Sequence, residues 1–143
     1  MSTGSHTLGK ARCLSFRQRV YDINIEEKYE QYKRYRTFRR ILRFIYRNSG
    51  RDNAIAPLDF STPAKFDNHY YINILEGKGL LGSDNVLITE DHEGEMRELV
   101  WAFASNQELF FSSFANSVIK MGNINVLTGN EGEIRKNCRF VNS

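Results

Sequence analysis

No apolar run in this sequence approaches the length of a membrane span. The opening Met1-Ser2-Thr3-Gly4 has neither the basic start nor the apolar middle of a secretory signal, so these residues show no export route. Cysteine is scarce, and Cys13 and Cys138 allow at most one internal bridge. There is no glycine-rich phosphate loop and no Gly-x-Ser-x-Gly elbow, which removes the nucleotide-cradle and serine-hydrolase readings. His69 and His92 have no Cys or Glu at zinc spacing, so both read as exposed imidazoles. The EF-hand pattern is also missing, and no internal repeat is evident.

What is present suits one globular unit. At 143 residues and 41% hydrophobic content, the chain is long and apolar enough to bury a core. Its formal charge of +3 conceals an asymmetry. Residues 28–47 hold Lys28, Lys33, Arg34, Arg36, Arg39, Arg40, Arg43 and Arg47 against the single acid Glu30, and the remainder of the chain is acidic. Tyr29, Tyr32, Tyr35, Phe38, Phe44 and Tyr46 interleave with these cations. Such a segment is either a solvated helix face with aromatics packed beneath it or a surface for a polyanion.

The hydrophobic spacing predicts a mainly helical, all-α fold. Phe16 and Val20 suggest a short helix over 12–21, broken by Asp22-Ile23-Asn24. Phe38, Leu42 and Ile45 place one face on a helix within 26–46, followed by a loop over 48–53. Pro57 and Pro63 bracket an extended stretch. Thr62-Pro63 then reads as a helix start, continued by Phe66, Tyr70 and Ile74 and ended by Gly77 and Gly79. Met96, Leu99, Val100 and Phe103 mark a further amphipathic helix. Another follows the N-cap Asn106, with Phe110, Phe114, Ser117 and Met121 on one face and Gly122 as its cap. The tail from residue 123 reads as loop.

The stretch Gly4-Ser5-His6-Thr7-Leu8-Gly9-Lys10-Ala11-Arg12-Cys13 resembles the proximal haem-ligand motif of the secreted plant (class III) haem peroxidases. Further matches follow in the family's order: Leu58-Asp59-Phe60-Ser61-Thr62-Pro63, Phe66-Asp67-Asn68-His69-Tyr70-Tyr71 and Lys78-Gly79-Leu80-Leu81-Gly82-Ser83-Asp84. Lys120-Met121-Gly122, Leu127-Thr128-Gly129 and Gly132-Glu133-Ile134-Arg135-Lys136-Asn137-Cys138-Arg139 complete the series. The family's distal motif, a run like Arg-Leu-His-Phe-His-Asp-Cys, has no counterpart in these residues. The resemblance therefore implies a partial haem-peroxidase domain over 1–143, the proximal half of the fold.

By that resemblance the cofactors are haem b and Ca²⁺. His6 would be the iron ligand, with Asp84 accepting from its second ring nitrogen and Arg12 supporting a haem propionate. Thr7, Asp59, Thr62 and Asp67, with the carbonyl of Lys65, would form the calcium site. The residues alone leave blander readings open: Ser83-Asp84 as a turn or helix cap, Arg12 as a surface charge, Asp59-x-x-Thr62-Pro63 as a helix start. The family partner of Cys13 is replaced by Tyr46, and that of Cys138 belongs to the distal half, so both cysteines are expected as thiols. The implied partners are H₂O₂ and small phenolic reductants, a distal-half chain as a possible complement, no membrane and no nucleic acid. The implied setting is secreted. A non-catalytic truncated product, or a polyanion-binding module through 28–47, is the alternative.

Overall fold

The computed structural model describes residues 2–21, 32–46 and 53–143. The expected break at Asp22-Ile23-Asn24, the first part of the helix over 26–46 and most of the loop over 48–53 lie outside the described residues, as do Lys28 and Arg47. Within them the protein is mainly helical, as expected, with six α-helices, one 3-10 turn and two short strands.

The chain opens in the 3-10 turn Ser2–Thr7. Gly9 reverses it at φ +113°, a conformation that L side chains rarely adopt. The chain leaves as β1 (Lys10–Arg12), which pairs antiparallel with β2 (Ile55–Pro57), Lys10 opposite Pro57 and Arg12 opposite Ile55. The Leu58 N–H donates to the Gly9 carbonyl at 3.0 Å and the Cys13 N–H to the Ala54 carbonyl at 2.8 Å, closing the ribbon at both ends. The pairing holds the His6 segment beside Leu58 and Asp59.

Helix α1 (Cys13–Tyr21) buries Cys13, Phe16, Arg19 and Val20. Helix α2 (Tyr32–Ile45) packs on it through Tyr35, Phe38, Arg39 and Leu42. Its face departs from the expected one: Ile45 is 42% exposed, and the neighbouring Tyr46 is buried instead. The cause is polar. The Nε–H of Arg39 and that of Arg43 both donate to the Val20 carbonyl, at 2.8 and 2.7 Å, and so cap the last turn of α1. Tyr46 donates its hydroxyl to the Ile55 carbonyl at 3.1 Å and meets Phe16 edge to face. Burial first, and then the charge of the neighbouring Cys13, push its phenol up. Cys13 is buried, Cys138 is exposed, and the two form no bridge.

Thr62-Pro63 do not start a helix. Residues 61–68 run through turns and bends, and α3 begins only at His69 (His69–Leu75). The Thr62 hydroxyl, instead of capping a helix, is held between Asp59 and Asp67. Helix α4 (Gly82–Thr89) stands where the sequence reading had only a turn or cap. Helices α5 (Glu95–Ser105) and α6 (Gln107–Gly122) match expectation. The Asn106 side chain accepts from the Leu109 N–H at 3.0 Å, as an N-cap should, while Gly122 is the last helical residue and Asn123 takes the cap.

Tyr70, Tyr71 and Ile74 of α3 meet Val100 and Phe103 of α5 and Phe110 of α6 in one buried cluster. Met96 and Leu99 sit at its margin, each about two-fifths exposed at 42% and 41%, and Met121 lies exposed beyond the packed half of α6. The tail is exposed throughout and mostly turn and loop. Among the described residues no helix is long and apolar enough to cross a membrane.

The opening turn is seated directly on this cluster. A Cβ added at Gly4 would lie 2.9 Å from Phe114 Cδ2, 3.0 Å from Phe110 Cε2 and 3.1 Å from the Tyr71 hydroxyl. Gly4→Ala is therefore expected to lift the turn and cost about 1–3 kcal/mol of stability, the range for overpacking. Urea unfolding measures it, and a change below about 0.5 kcal/mol, the ordinary surface range, would show that the turn is loosely seated.

Candidate functional site

The opening turn presents His6 with its side chain 29% exposed, and Asp84, 3% exposed, reaches it from the first turn of α4. His6 Nδ1 lies 2.9 Å from Asp84 Oδ2, a contact between residues far apart in sequence. The Asp84 hydrogen bond raises the imidazole pKa; burial opposes the shift and the carboxylate charge adds to it. With Nδ1–H given to Asp84, a neutral His6 carries its lone pair on Nε2.

Asp84 is held by more than His6. The Tyr70 hydroxyl donates to the same Oδ2 at 2.5 Å, and the Tyr70 ring stands edge-on to the imidazole at 5.8 Å and 87°. Tyr70 is fully buried, and burial together with the Asp84 charge pushes its phenol far above the ordinary range, so it stays a donor. Tyr71 beside it is pushed up to about 12, by burial first and then by Asp84.

The start of α4 has its own clamp. Arg19 Nη1 donates to the carbonyls of Gly79 and Leu81 at 2.7 and 2.8 Å, and its guanidinium lies 4.5 Å over the Tyr35 ring. Asn85 Nδ2 donates to the same two carbonyls. Gly79 leaves room for that amide, since an added Cβ would fall 2.9 Å from Asn85 Nδ2.

Next to His6 in the chain, Thr7 is buried and points into a second cluster. Its hydroxyl donates to the Asp67 carbonyl at 2.8 Å, lies 3.4 Å from the Lys65 carbonyl, and accepts from the Asp67 N–H at 3.3 Å. Thr62 Oγ1 is 2.9 Å from Asp67 Oδ1 and 3.2 Å from Asp59 Oδ2. Asp59 is fully buried and also accepts from the Ser61 and Thr62 N–H groups and from Asn73 Nδ2. The structure thus gathers Thr7, Asp59, Thr62, Lys65 and Asp67, oxygens of five residues from two segments.

Asp67 Oδ2 is buried with no hydrogen-bond partner, and so is His69 Nδ1, 3.4 Å away. His69 is therefore only half exposed, contrary to expectation, because its ring turns one nitrogen toward this carboxylate. Burial works to raise the Asp67 pKa, but hydrogen bonds from the His69 N–H and Thr62 hydroxyl, with the His69 imidazole, hold it below the ordinary value. His92 is exposed. Arg12 is exposed in β1, on a strand beyond the Gly9 reversal, and so does not share a helix with His6. Among the described residues no three Asp, Glu, His or Cys side chains converge, so any cation here relies on hydroxyls and carbonyls as well.

A family profile described as Peroxidase matches residues 1–106. The chain belongs to the peroxidase family. It is 60% identical over 142 residues to Peroxidase 20 of Arabidopsis thaliana, covering 98% of this chain and 42% of that protein. Peroxidase 72 of Arabidopsis thaliana is 47% identical over 148 residues, covering 98% of this chain and 41% of the relative. Peroxidase 4 of Vitis vinifera is 42% identical over 141 residues, with 98% and 41% covered. This peroxidase-family chain thus spans about two-fifths of the length of the relatives it matches.

Several site-building residues escaped the sequence reading. In the sequence Tyr70 reads as one apolar position in a helical series and as part of a family motif, with no role of its own. Asn73, an amide within the apolar run His69–Leu75, accepts from Ser61 and donates to Asp59. A lone amide in such a run is the one signal that marked a buried hydrogen bond. Arg19 and Asn85 carried none, because their partners are backbone carbonyls.

Proposed function

We propose that this chain forms the proximal side of a haem peroxidase site, with His6 as the iron ligand and Asp84 as the acceptor that fixes it. The observation that carries the reading is the 2.9 Å contact between His6 Nδ1 and the buried Asp84 carboxylate. A metal-bound imidazole needs its other nitrogen held in this way, which sets the ring orientation and makes the ligand a better donor. The partial exposure of His6 leaves its Nε2 side approachable, so the residues fit haem. Bound haem would supply the redox chemistry, taking two oxidising equivalents from H₂O₂ and passing them to small phenolic donors. Within this chain, His6 would hold the iron and Asp84 would keep a proton on Nδ1. By the resemblance, Arg12 would support a propionate and the setting would be secreted.

Thr7, Asp59, Thr62, Asp67 and the Lys65 carbonyl would hold Ca²⁺. The cation prefers about six to eight oxygens in flexible geometry, a set drawn from carboxylates, hydroxyls and carbonyls. Asp67 Oδ2 is buried and accepts no hydrogen bond, with only His69 Nδ1 at 3.4 Å and Lys65 Nζ at 3.7 Å near it, so a cation would supply what this oxygen lacks. Because Thr7 adjoins His6, such a cation would brace the ligand. The polyanion reading loses support from α2, where Arg39 and Arg43 are engaged with the Val20 carbonyl.

Titrating the chain with haem is expected to give a histidine-ligated absorption spectrum that His6→Ala abolishes. Residues 1–143 contain no Arg–His run of the family's distal pattern. The polypeptide with haem should therefore oxidise phenols slowly, lacking the roughly 10²–10⁴-fold that general acid–base help gives. An unchanged spectrum in His6→Ala would refute the ligand assignment.

Calcium at a hundredfold excess over its Kd should add about 2.7 kcal/mol and raise the melting temperature by roughly 8 °C. Asp67→Asn should erase most of that gain. Melting indifferent to both chelator and calcium would leave the cluster as a plain hydrogen-bonded loop.

A further inference from the structure

Two donors converge on one oxygen beside His6. Asp84 Oδ2 accepts from His6 Nδ1 at 2.9 Å and from the Tyr70 hydroxyl at 2.5 Å. The second contact falls in the range of a charge-assisted O–H···O⁻ bond, among the stronger hydrogen bonds in proteins. Negative charge drawn toward the phenol is charge the imidazole N–H no longer sees. Tyr70 is completely buried, so no water competes for its proton.

We propose that Tyr70 is a positioning residue that tempers the donor strength of His6 through Asp84. The inference rests on His6 being the iron ligand. With the hydroxyl in place, Asp84 pulls less on the Nδ1 proton, and His6 stays closer to neutral imidazole than to imidazolate. The Tyr70 ring adds a second constraint, since its edge-to-face contact with the imidazole at 5.8 Å limits rotation of the ring about its Cβ bond. One side chain thus sets both the orientation of the ligand and its electron donation. Asp84 fixes which nitrogen holds the proton, and Tyr70 fixes how firmly.

Tyr70→Phe keeps the ring and removes only the hydroxyl. Asp84 should then accept more strongly from His6. In the chain without haem and with ¹⁵N-labelled histidine, the Nδ1 proton resonance should move downfield. In the haem-loaded chain, the ferric–ferrous equilibrium should move about tenfold toward ferric, a fall of about 59 mV for one electron. Fluorotyrosine at position 70, a more acidic donor, should shift both readings the opposite way, and it decides the matter alone if Tyr70→Phe does not fold. Asp84→Asn serves as the reference that weakens the acceptor itself. If Tyr70→Phe moves neither reading while Asp84→Asn moves both, or moves either in the opposite direction, Tyr70 only packs and the proposal falls. Failure of the chain to take up haem would instead undo the ligand assignment, and the proton resonance would still decide the coupling to Tyr70.

Discussion

A buried carboxylate must be paired, and Asp84 is paired by the two groups that define the site. An unpartnered charge in the interior costs several kcal/mol. Asp84 avoids that by accepting from His6 on the opening turn and from Tyr70 on α3. Three separate segments, the opening turn, α3 and α4, therefore meet at one oxygen. Moving any of them strands a buried polar group on the others. This is why a fold with little regular structure around His6 can still hold that ring in one orientation.

The remaining contacts near His6 act as braces on that junction. The β1–β2 ribbon pins the chain just after it, Gly4 seats the chain just before it on Phe110, Phe114 and Tyr71, and Thr7 ties it to the Asp59–Asp67 loop. On the far side, Arg19 and Asn85 hold the carbonyls of Gly79 and Leu81, which set where α4 begins and hence where Asp84 points. The polar groups are nearly all satisfied by one another. Among the described residues, Asp67 Oδ2 and His69 Nδ1 are the buried side-chain atoms without a hydrogen bond, and they face each other at the oxygen cluster with Lys65 Nζ 3.7 Å from the carboxylate.

The sequence made legible what local chemistry decides. Asn106 caps α6 because its amide oxygen is three residues from the N–H it accepts. Long amphipathic segments announced α2, α5 and α6. Where distant partners decide, the local signal misled. Thr62-Pro63 has the form of a helix start, yet Asp59 and Asp67 take the hydroxyl and the helix waits until His69. Arg39 and Arg43 belong to a basic run that reads as a solvated face, yet the α1 carbonyl at Val20 draws them in. Helix α4 is short, begins with glycine and has no periodic face, so nothing in its own residues marked it. His6, Asp84 and the oxygen cluster were visible through the family resemblance rather than through spacing. The role of Tyr70 was visible through neither.

His6, held by Asp84, is the proposed iron ligand. Electron–nuclear double resonance on the ferric, haem-loaded chain with ¹⁵N-labelled histidine tests it directly. The account predicts coupling to one histidine nitrogen that vanishes in His6→Ala and persists in His69→Ala and His92→Ala. Coupling that survives His6→Ala, or that never appears in the parent chain, would contradict it.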